Sequence, residues 1–146
     1  MTADNDDEYG DEVGLEGKVP LGELAERMGI AFERVEPGHV VATMPVEGNR
    51  QPYGLLHGGA TVVLAETVGS VAAALHAGAG RVAVGVEVSC AHHRAARSGF
   101  IRAVTIPLHQ GNSLASYAIE VTDEDGRRIA TARLTCAIRD HAPADR

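Results

Sequence analysis

Tryptophan is absent from this chain, and three tyrosines and two phenylalanines are its only aromatic residues. Its apolar 45% therefore points to a core of Val, Ala, Leu and Ile, suited to β-branched strands and a small-residue helix. Cysteine is scarce too. Cys90 and Cys136 stand far apart with no CxxC spacing, which leaves no disulfide framework and points to a reduced, cytoplasmic setting. Clustered basic residues are missing. The nine arginines from Arg81 onward are matched by seven acids, too weak a bias for a nucleic-acid footprint. No basic start with an apolar run precedes residue 20, and no charge-free run reads as a membrane span.

The acidity is local. Six of the acids fall among the first twelve residues, with no Lys or Arg there, while the rest of the chain is close to neutral. Residues 1–18 read as a solvated, disordered tail and residues 19–140 as one domain of ordinary size.

Pro20 opens a short helix in which Leu21, Leu24, Ala25 and Met28 share a face, ending at Gly29. Ile30 to Val35 and His39 to Val46 read as strands around Glu36-Pro37-Gly38. Gly59 to about Ala77 is apolar on nearly every face, the mark of a helix buried all round. From Val82 to Ala91 the period becomes two, and Phe100 to Leu108, Leu114 to Thr122 and Arg127 to Arg139 add three strands at hairpin spacing. An α+β domain follows, with a mostly antiparallel sheet curled around one long helix, whose remaining side a second subunit would cover.

Glu66 is the only charged residue between Arg50 and Arg81. A carboxylate among Val62, Val63, Leu64, Val68 and Val71 sheds hydration at a cost that a partner or a chemical task must offset. Gly58 and Gly59 begin the helix, where unpaired N-H groups and the positive dipole end favour developing negative charge. Glycine also lets a ligand approach the backbone closely, making the Gly58 N-H a candidate oxyanion donor.

The run Gln51-Pro52-Tyr53-Gly54-Leu55-Leu56-His57-Gly58-Gly59-Ala60, followed by Leu64-Ala65-Glu66-Thr67-Val68-Gly69-Ser70, resembles the hot-dog-fold acyl-CoA thioesterases. Its nearest likeness is to the branch containing the Arthrobacter-type 4-hydroxybenzoyl-CoA, phenylacetyl-CoA and enterobactin- and menaquinone-pathway proofreading enzymes. Gly85-Val86-Glu87-Val88, Ala91-His92-His93-Arg94, Pro107-Leu108-His109-Gln110-Gly111 and Asp125-Gly126-Arg127-Arg128 extend it over most of residues 30 to 139.

The resemblance implies that Glu66 is nucleophile or general base, that His57 and Gln51 position the thioester, and that Ser70, one turn beyond Glu66, orients substrate or water. It places Gly85, His92, His93, Arg94, His109, Gly111, Asn112 and Ser113 among the substrate-binding residues. Arg127 and Arg128 read as solvated hairpin charges, and His39, His76 and His141 carry no motif. No metal and no redox cofactor is implied; CoA belongs to the substrate, and a carrier-protein thioester is a second substrate class. A homodimer, as a dimer of dimers, is expected. A non-catalytic acyl-CoA-binding module and a dehydratase or hydratase are the alternatives. Adjacent strand residues such as His92 and His93 point to opposite faces, which argues against a shared metal.

Spacing adds a claim about assembly. Gly58 and Glu66 are roughly 12 Å apart along the helix, further than a Glu side chain reaches with ease. Two such helices packed antiparallel about a two-fold near residue 62 would set Glu66 of one subunit against Gly58 of the other.

Overall fold

A computed structural model describes residues 20–141; the expected tail at 1–18 lies outside them. Helix α1 spans Gly22–Met28 and ends at Gly29, whose φ of 76° admits a left-handed cap. A side chain at Gly29 would also strike Pro45, with a Cβ only 2.8 Å from its Cγ. Pro20 precedes the helix rather than opening it, since Leu21 is the cap residue.

Strands β1 (Ala31–Glu36) and β2 (His39–Pro45) form the expected hairpin. Helix α2 (Gly58–Ala77) follows, then β3 (Arg81–His92), β4 (Phe100–Gln110), β5 (Leu114–Thr122) and β6 (Arg128–Asp140). All pairings are antiparallel, and the sheet order is β1-β2-β4-β5-β6-β3. Hairpin spacing predicts β3 beside β4; instead β2 pairs with β4, and β3 lies at the far edge against β6. The reason is the helix. Crossing the sheet, α2 delivers the chain to the far edge, and residues 93–99 carry it back.

The sheet curls around α2, and Leu64, Ala65, Val68, Ala72 and Ala73 of the helix are buried with Met44, Ile101, Ile119 and Leu134 of the strands. Each large aliphatic so buried is worth about 1.5–3 kcal/mol. Tyr117 is the one fully buried aromatic among the described residues; its hydroxyl donates to the Ala72 carbonyl at 3.3 Å and accepts from Gln110 Nε2 at 3.1 Å. The aliphatic core read from composition is present.

Within a single chain the burial of α2 is not complete on every face. Val62, Val63, Glu66, Thr67 and Ser70 form a half-buried stripe along the helix. By length and composition α2 is apolar enough to cross a membrane, although with Glu66 in it the run is not charge-free. Here it is the core helix, in contact with every strand.

Strand β3 does not show the expected alternation of faces. It is an edge strand, its register with β6 shifts between Gly85 and Glu87, and Val84 and Val86 are 55% and 60% exposed.

Candidate active site

The loop before α2 is folded by its own hydrogen bonds: the Gln51 N-H donates to the Leu55 carbonyl at 2.8 Å, and the Gln51 side-chain oxygen accepts from the Tyr53 N-H. Asn49 anchors it, donating through Nδ2 to the carbonyls of Met28 and Pro45, both at 2.8 Å. His57, extended at φ −64° and ψ 128°, is the N-cap; its Nδ1 accepts the Gly59 N-H at 2.8 Å. That bond makes Nδ1 the acceptor and leaves the proton of a neutral ring on Nε2.

Ala60 donates its N-H to the His57 carbonyl at 2.9 Å. The Gly58 N-H, by contrast, has no acceptor among the described residues. One donor at the positive end of α2 is thus unspent, as an oxyanion hole needs.

A cavity of about 340 Å³ opens there, lined by Gln51, Leu55, Leu56, Gly58, Thr61 and the segment His92–Ala96. The His92 ring lies over the helix start: a Cβ on Gly58 would meet its Nε2 at 3.1 Å. His93 bonds Thr131 Oγ1 at 2.9 Å, and both His93 and Arg94 donate backbone N-H groups to the Ile129 carbonyl. No cluster of three or more His, Cys, Asp or Glu suited to a metal occurs among the described residues.

Glu66 is not at this cavity. It is half-buried two turns along α2, with its carboxylate leaning on Gly85 of β3. Ser70 lies one turn beyond it, and both are near the thiol of Cys136, which pairs across the strands with Gly85. Burial pushes the Cys136 thiol up; the Ser70 hydrogen bond opposes this and the Glu66 charge adds to it. The thiol is therefore neutral at physiological pH and no nucleophile.

The third group sits at the far end of α2, roughly 27 Å from Gly58 along the axis. His76 Nε2 lies 2.7 Å from the Gly111 carbonyl, and Arg81 donates to the carbonyl and side-chain oxygen of Asn112 at 2.6 and 3.1 Å. The Ser113 carbonyl accepts from the Ile138 N-H, and His109 folds back over Gly111. His76, Arg81 and Cys136 were not singled out by sequence. A cationic or polar group in a last helical turn was the only hint for His76.

One chain therefore gathers Gln51, His57, Gly58, His92, His93 and Arg94 at one end, and Glu66, Ser70 and Gly85 further along. His109, Gly111, Asn112 and Ser113 lie at the other end. Arg127 pairs with Asp123 and Asp125 at 2.8 and 3.1 Å, and Arg128 with Glu120 at 2.7 Å, so both are hairpin charges.

Residues 53–130 match the family model described as thioesterase superfamily. The chain is 45% identical over 130 residues to a 1,4-dihydroxy-2-naphthoyl-CoA hydrolase of Escherichia coli (strain K12), covering 87% of this chain and 96% of that protein. It is also 45% identical over 119 residues to the proofreading thioesterase EntH of Cronobacter sakazakii, covering 81% and 87%. Among solved structures, a thioesterase from Haemophilus influenzae superposes with a TM-score of 0.81 at 31% identity, over 86% of this chain and 88% of that one. An antiparallel sheet wrapped around one long helix is thus shared with enzymes of one reaction class, and the chain belongs to the thioesterase superfamily as a hot-dog-fold thioester hydrolase.

Proposed function

We propose that this enzyme hydrolyses an acyl-CoA thioester, with an aryl acyl group as the first substrate class to try, at sites shared between two subunits. The observation that carries the shared site is the separation just described. The cavity at the free Gly58 N-H has no carboxylate in its lining, while Glu66 lies two turns away on the half-buried stripe of the same helix. An antiparallel partner helix supplies the missing group. The edge position of β3, with Val84 and Val86 exposed, favours a partner continuing the sheet there.

In this reading the thioester oxygen accepts the Gly58 N-H while His57 and Gln51 hold the thioester in place. Glu66 of the partner either takes a proton from the attacking water or attacks the carbonyl carbon itself. Carbon–sulfur cleavage then releases CoA, whose sulfur takes up a proton, and the second path ends with water hydrolysing the mixed anhydride. Ser70 orients the water or the substrate. No cofactor is required, because CoA arrives with the substrate. The E. coli relative's aryl-CoA substrate favours an aryl group, and a carrier-protein thioester is the second class to assay. The homodimer pairs further into a dimer of dimers, and the two free cysteines suit a reduced cytoplasm.

The test is CoA release, followed with DTNB over a panel of aryl-, aryl-acetyl- and alkyl-CoA esters, for the wild type and for Glu66→Gln and Glu66→Ala. Turnover on aryl esters that falls at least about a hundredfold in both variants is the expected result. Undiminished activity in both would remove Glu66 from the chemistry.

A further inference from the structure

Glycine in the middle of a strand weakens it, and Gly85 sits inside β3 with no positive φ to require it. A Cβ built there would lie 3.6 Å from Leu134 Cδ1, an ordinary contact, but 3.0 Å from Glu66 Oε1. The carboxylate thus occupies the place a side chain would claim. Two further features frame it. The register of β3 against β6 shifts just after Gly85, and the residue opposite, Cys136, is fully buried. A bulge re-aims the strand locally, and a small neutral thiol closes the floor without adding charge.

We propose that Gly85 is a positioning residue: its missing side chain and the bulge after it open a notch in β3 that seats the Glu66 carboxylate. The role differs from substrate contact, and it rests on Glu66 being the carboxylate that acts in the reaction. An alanine at 85 keeps the backbone at ease and crowds only Glu66. The carboxylate must shift by a few tenths of an ångström, which matters little to folding and much to the alignment of an attacking group.

The experiment measures kcat, KM and melting temperature on benzoyl-CoA for the full chain carrying Gly85→Ala, Glu66→Asp or both, with Glu66→Gln as control. Gly85→Ala is expected to lower kcat about tenfold, with KM within about twofold and the melting temperature within about 2 °C. Aspartate is too short to reach the notch, so in the Glu66→Asp background the same alanine is expected to change kcat by less than about twofold. Wild-type kcat in Gly85→Ala, an equal loss in both backgrounds, or a collapsed melting transition would each overturn the proposal. Should Glu66→Gln be inactive while Gly85→Ala is not, the notch alone is refuted. Full activity in Glu66→Gln would refute the role of Glu66 and the notch with it.

Discussion

His57 Nδ1 accepts the Gly59 N-H at 2.8 Å, so a single imidazole both caps α2 and presents its protonated nitrogen away from the helix. The two roles separate by substitution. Asparagine keeps a capping acceptor, so His57→Asn is expected to hold stability within about 0.5 kcal/mol while kcat/KM falls about a hundredfold. His57→Ala loses the cap as well, about 1 kcal/mol more. Urea unfolding beside DTNB kinetics checks both; equal activity in wild type and His57→Asn would leave His57 as a cap alone.

Gly69 sets two effects of opposite sign against each other. Alanine in a helix interior gains about 1 kcal/mol over glycine by propensity. Here a Cβ would lie 2.6 Å from Leu134 Cδ2 and 3.2 Å from its Cβ. Overpacking costs about 1–3 kcal/mol, so Gly69→Ala is expected to be net destabilising. A rise in the urea midpoint would show that the interface yields freely.

Asp123 closes the β5–β6 turn, accepting the N-H groups of Asp125 and Arg127 at 3.0 and 2.9 Å and Arg127 Nε at 2.8 Å. Desolvation pushes its carboxyl up, but the Arg127 and Asp125 hydrogen bonds and the Arg127 charge outweigh it and hold it below the ordinary value of 3.8. A depressed carboxyl contributes stability above the ordinary value and loses it as pH falls through the lower one. Asp123→Asn is therefore expected to melt below the wild type at neutral pH, with the gap closing on acidification below about pH 3.8. A gap that is constant with pH would contradict this.

The free edge of β3 is testable through Val86, 60% exposed. Val86→Lys places a charge on a surface assigned to a partner strand, so sedimentation at micromolar concentration is expected to show more monomer, with activity falling in parallel. An unchanged dimer would move the interface elsewhere.

Much of this was legible in the sequence because it is written in local periodicity. The apolar run of α2 and the hairpin spacing of β4, β5 and β6 located the elements, and the spacing of Gly58 and Glu66 pointed to a second subunit. What escaped depends on contacts distant in sequence. The place of β3 beside β6 is set by where α2 delivers the chain, not by hairpin spacing. The clasp of His76 and Arg81 on the Gly111–Ser113 turn joins residues more than thirty positions apart. Cys136 reads as a small apolar strand residue until the sheet brings it under Ser70 and Glu66.

The shared site is tested most directly by subunit complementation. Glu66→Ala and His57→Ala chains, each inactive alone, are mixed, dissociated and reassociated in equal amounts. A site built across the two-fold predicts that random pairing restores about a quarter of wild-type activity, since half the dimers are mixed and each holds one intact site. No recovery, with mixed dimers shown to form, would mean that Glu66 and His57 serve the thioester from the same chain.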